Sequence, residues 1–138
     1  MKNFLLSAVF LFVCTLAYAD TVDIYKVSFR NRQIGTFTER QVINIVLKTD
    51  SVFSNDSIKV AVFRDAPCAN CTDYTLMILG KQGPMLVDSS QTQASFYVPL
   101  KPLVVYRRTN GQQHFHVYYT EYLPAGRARV ISFRITLE

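Results

Sequence analysis

Apolar and polar residues alternate along most of this chain, in short runs separated by Gly and Pro. Tyr25, Val27 and Phe29 share one face of the first run after the N-terminal stretch, and Ile58, Val60 and Val62 share one face of a later one. A period of two marks a half-buried strand. The breaks fall at Asn31–Gly35, Ala66–Pro67, Gly80–Pro84, Pro99–Pro102, Asn110–Gly111 and Pro124–Gly126. Between them the chain is rich in Val, Ile, Tyr and Phe, which suit a pleated backbone. The pattern predicts strands over Asp23–Phe29, Gln41–Lys48, Ser57–Arg64, Tyr74–Leu79, Ala94–Val98, Leu103–Thr109, Gln112–Tyr122 and Arg127–Leu137, with a short one at Met85–Val87. Turns at this spacing predict an all-β fold, a single β-sandwich of about seven to nine mostly antiparallel strands with immunoglobulin-like architecture. The chain lacks Trp, so only the architecture is expected and not the Cys…Trp…Cys core of true immunoglobulin domains.

Two segments carry more detail. Thr38-Glu39-Arg40-Gln41 has the form of a helix capping box, and Val42, Ile45 and Val46 have helical spacing. The β-branched residues of Val42–Val46 favour a strand instead. At the C-terminal end, Asn110-Gly111 is a type I′ hairpin signal, which would pair Tyr106 with Phe115 and Arg107 with His114. Leu123-Pro124-Ala125-Gly126 suits a three-residue hairpin loop with Gly in the left-handed region. That loop sets Phe115 opposite Ile135, Val117 opposite Phe133 and Tyr119 opposite Ile131. The two turns agree on one apolar face, so Leu103–Leu137 is expected to form a three-stranded antiparallel meander.

The N-terminus changes how the cysteines are read. Lys2, the apolar run Phe4–Leu16 and Ala17-Tyr18-Ala19 have the form of a cleaved secretory signal peptide over residues 1–19. Residues 20–138 then form the single domain, exported to the cell envelope or released. Lipid attachment at Cys14 is disfavoured by Val13, where a small residue is wanted. No second apolar run is long enough to span a bilayer. Of the three cysteines, Cys68 and Cys71 remain after cleavage. An oxidising compartment makes a structural Cys68–Cys71 disulfide the expected state, worth about 2 kcal/mol of loop entropy. The alternative is a thiol–disulfide protein working through this C-x-x-C pair, although Asp65 and Asp73 flank it and would raise a thiol pKa. Asn55 and Asn70 begin N-x-S/T sequons, which matter only in a eukaryotic secretory route.

Charge adds a mild bias. Lys and Arg number 15 against 10 Asp and Glu, most of the cations being Arg, and they are scattered along the chain. This balance permits an acidic partner and resembles no nucleic-acid module. The polar face of the expected meander would carry Arg107, His114, His116, Tyr118 and Arg134. Two His at i and i+2 on a strand point the same way, yet an Arg beside each opposes a bound cation, and no metal or cofactor is expected. No G-x-S-x-G, P-loop or H-E-x-x-H occurs. The expectation is a non-catalytic exported module that binds a protein or an anionic envelope component through this basic, aromatic-edged face.

Overall fold

The computed structural model describes residues 22–53, 55–64, 73–91, 94–123 and 126–138. The expected leader over residues 1–19, with Cys14, and Cys68, Cys71 and Asn70 lie outside the described residues. The strands are β1 (Ile24–Phe29), β2 (Arg32–Thr38), β3 (Asn44–Leu47), β4 (Ser57–Phe63), β5 (Asp73–Gly80), β6 (Gly83–Asp88), β7 (Ser95–Pro99), β8 (His114–Leu123) and β9 (Arg127–Leu137). Among the described residues one α-helix, α1 (Lys101–Asn110), joins β7 to β8. The strands form two sheets, a four-stranded one ordered β2-β1-β4-β7 and a five-stranded one ordered β3-β9-β8-β5-β6. Among the described residues only the β3–β9 pairing is parallel.

Alternation puts Tyr25, Val27, Phe37, Ile58, Val60, Phe96 and Val98 of the first sheet inside, against Leu76, Ile78, Phe115, Val117, Tyr119, Ile131, Phe133 and Ile135 of the second. Aromatic rings knit the layers. Phe96 stacks on Tyr119 at 4.2 Å, and Phe37 tilts against Phe133 at 5.7 Å. Such pairs add about 0.5–1.5 kcal/mol each beyond the area they bury. The expected β8–β9 register is present: Phe115 opposes Ile135, Val117 opposes Phe133 and Tyr119 opposes Ile131. Leu123 pairs with Arg127 and Gly126 has φ 72°, while Pro124 and Ala125 of the expected loop lie outside the described residues.

The expected meander needs correction. Leu103–Thr109 is helical, so β8 has β5 rather than a preceding strand as its second neighbour. Pro102 fits the first helical turn, where its missing N–H costs nothing. Leu103 and Val104 bury one side of the helix. A type I′ turn needs positive φ at both central residues, but here only Gly111 has it, at 68°. Gly111 instead caps the helix, donating its N–H to the Arg107 carbonyl at 2.8 Å. The Tyr106–Phe115 contact survives in another form, as an edge-on ring pair at 6.4 Å.

Strand β2 arises where a break was expected. Its seven residues bury only Phe37, because it lies at a sheet edge, so no alternation is visible. The turn before it is Arg30-Asn31, with φ of 49° and 63°. The Arg30 side chain ties this turn down. It donates to Asp56 at 2.7 and 3.3 Å and to the Ser51 carbonyl at 2.6 Å. At Thr38–Gln41 part of the capping-box geometry forms: Gln41 Oε1 accepts the Thr38 N–H at 3.1 Å. No helix follows, since Ile45 and Leu47 both point into the core at a period of two.

Candidate functional site

The outer face of the five-stranded sheet brings together four of the five expected residues. His116 sits opposite Arg134, Tyr118 opposite Ser132, and His114 opposite Thr136, each pair joining β8 to β9. His114, His116 and Arg134 are exposed, and Tyr118 is half-buried. Strand alternation makes this inevitable once Phe115, Val117 and Tyr119 are buried. Arg107 is not part of the face. It belongs to α1, where its Nη1 is buried with no hydrogen-bond partner among the described residues.

A polar relay holds His114. Its Nδ1 lies 3.0 Å from Thr136 Oγ1, and that hydroxyl donates its proton to Asn44 Oδ1 at 2.8 Å. A hydroxyl has one proton, so Thr136 accepts from the histidine. His114 therefore carries its proton on Nδ1, and in the neutral ring the Nε2 lone pair is the free one. Asn44 and Thr136 come from β3 and β9, so three strands set one imidazole.

Beside the histidines lies an open cleft of about 370 Å³, lined by Leu79, Gly80, Lys81, Gly111–Gln113, His114 and His116. Buried Gln112 builds its wall. Its Oε1 accepts the Lys81 N–H at 2.8 Å and its Nε2 donates to the His114 carbonyl at 2.5 Å. Among the described residues no carboxylate lines the cleft. Arg134 makes no ion pair among the described residues. Lys81 and Gln112 went unnoticed in the sequence, where Gly80–Pro84 reads as a bare turn and Gln112 as the start of a strand. No group of three or more His, Cys, Asp or Glu is placed to hold a metal among the described residues.

Comparison with known proteins adds little. No family model matches the chain, and no curated protein matches it. Among solved structures it is similar to the soluble domain of PmoD from Methylocystis sp. ATCC 49242 (Rockwell), with a TM-score of 0.43 at 10% identity over 83% of this chain and 90% of that one.

A second charged region lies between the sheets. Arg64, after β4, forms a two-pronged ion pair with Glu121 of β8, with one contact at 3.0 Å. The side chains are 4% and 0% exposed. Asp23 binds Arg129 at 2.5 Å and lies 4.0 Å from Arg64, while Arg129 reaches Glu39 at 3.7 Å. The Tyr25 hydroxyl is buried near this cluster without a hydrogen-bond partner among the described residues. Burial, reinforced by Asp23, raises its pKa well above the ordinary phenol value, so the ring stays neutral. Each cation here is matched by an acid, which makes the cluster a bridge between the sheets rather than an open site.

Proposed function

We propose that the chain is an exported, non-catalytic β-sandwich module that binds a protein or an anionic envelope component through the outer face of the five-stranded sheet. The contact groups are His114, His116, Tyr118 and Arg134, with Lys81 at the cleft. One observation carries this reading: the relay through Thr136 and Asn44 orients His114 on a face whose cations, Lys81 and Arg134, meet no acid among the described residues. The Arg134 guanidinium, unpaired among the described residues, matches a carboxylate or phosphate, while the Nε2 lone pair of His114 accepts an N–H or O–H of the same ligand. The leader-like residues 1–19 support export, and no helix among the described residues is long and apolar enough to cross a membrane. The redox alternative rests on Cys68 and Cys71 alone, and no contact among the described residues favours it.

The test replaces His114, His116 and Arg134 with Ala together and repeats a pull-down from the native envelope fraction. Loss of the captured component is expected, while Arg108→Ala on the exposed side of α1 leaves it in place. Unchanged recovery by the triple variant removes the face from consideration.

A further inference from the structure

The outer face of the four-stranded sheet has a different chemistry. Its outward positions on β1 and β4 are Ile24, Lys26, Ser28, Ser57, Lys59, Ala61 and Phe63, with Ser95, Tyr97 and Pro99 on β7 and Thr36 and Thr38 on β2. None of these is acidic. Ile24 is 41% exposed, Phe63 50% and Tyr97 48%. Lys26 Nζ lies 4.4 Å from the Phe63 ring centroid, and Lys59 Nζ lies 5.8 Å from that of Tyr97. Each ammonium thus sits over a ring that would otherwise face water. Asp88, at the margin of this face beside Tyr97, is already held by Ser90 and Gln91.

We infer that this face docks on an anionic lipid bilayer. Lysines on long stems can rise to meet headgroup phosphates while their apolar stems and the neighbouring rings lie lower. Phe and Tyr fit the interfacial zone, and Lys is attracted by the negative surface potential. No acid occupies the outward positions named above, and the Asp88 carboxylate lies at the margin of the face. The two outer faces of a sandwich point in opposite directions, so docking here leaves the histidine cleft facing away from the lipid. This inference does not depend on the cleft having a ligand.

The chain has no Trp, so single-tryptophan reporters test it directly. They also localise the contact, which matters because the apolar Phe4–Leu16 stretch can itself enter lipid. Phe63→Trp reports on the proposed face, and Val130→Trp reports on the exposed outer face of the other sheet. The probes are vesicles of phosphatidylcholine alone and of phosphatidylcholine with phosphatidylglycerol. The expected result is a blue shift for Phe63→Trp with the anionic vesicles only, weakened by added salt. Val130→Trp gives none. Adding Lys26→Gln and Lys59→Gln raises the lipid needed for half the shift about thirtyfold, from the usual contribution of two cations at a charged surface. Adding Arg134→Ala leaves the shift unchanged, which separates this surface from the outer face of the five-stranded sheet. Equal shifts in both reporters, equal shifts with neutral vesicles, or indifference to the lysine changes would overturn the proposal. So would a shift that grows with protein concentration without lipid, which would make the face a contact between two copies.

Discussion

The two charged regions use the same side chains to opposite ends. Between the sheets, Arg64 and Arg129 meet Glu121, Asp23 and Glu39, and little charge is left over. On the outer sheet face, Arg134, His116 and Lys81 meet no acid among the described residues. Buried, an unmatched charge loses its hydration and the fold pays heavily, so matching there is a condition of folding. Exposed, an unmatched charge costs almost nothing, and it stays available to something outside the molecule. Pairing therefore separates the charges that hold the sandwich together from those that can recognise a ligand.

The largest test removes one partner of the buried pair. Glu121→Gln takes the two-pronged partner from buried Arg64 and leaves only Asp23, 4.0 Å away and already bound to Arg129, to offset its charge, and chemical denaturation should show a loss of about 3 kcal/mol. Replacing both, as Arg64→Met with Glu121→Leu, should recover most of that loss or exceed it; if the double variant is as unstable as the single, the pair is not the reason Glu121 matters. The same logic gives a smaller effect at Thr136→Val, which keeps the shape but breaks the relay to His114 and Asn44. A stability cost of about 1 kcal/mol is expected. A ligand held by the oriented His114 ring should bind more weakly with it, as isothermal titration with the captured ligand would read. Smaller still is Arg134→Ala, whose unfolding midpoint should stay within about 0.5 kcal/mol of the parent. A marked destabilisation there would mean Arg134 is structural after all.

Acid gives the finest distinction. Asp56 is held below the ordinary carboxylate range, first by the Arg30 side-chain hydrogen bond and then by the Phe53 N–H. A carboxylate with a lowered folded pKa adds stability above its unfolded pKa, near 3.9, and loses it as pH falls through the folded value. The Arg30 tether should therefore persist through neutral and mildly acidic pH and release only below that range. Amide exchange in the Arg30–Asn31 turn, followed by NMR on acid titration, is the measurement. In Arg30→Ala the turn should already exchange fast at neutral pH.

Legibility from the sequence followed how local each signal is. The β8–β9 register was readable because a short loop and a period-two pattern constrain each other, and a slip by one residue would expose every core side chain. The outward position of His114, His116, Tyr118 and Arg134 came with it. Arg107 was misplaced because Asn-Gly serves two purposes, a hairpin turn and a helix C-cap, both of which want a left-handed Gly. Strand β2 was missed because an edge strand need bury little. The cleft was invisible because Lys81 and Gln112 are thirty-one positions apart and meet through a side-chain hydrogen bond.

The residues by themselves determined the strand periodicity, the C-terminal hairpin and which side chains of β8 and β9 face water. Only the tertiary structure decided which charges are matched. Arg64 finds Glu121 across 57 positions and Arg129 finds Asp23 across 106. No local rule joins residues so far apart. They meet because two sheets with buried apolar faces close on each other, and charges caught between the layers must then pair.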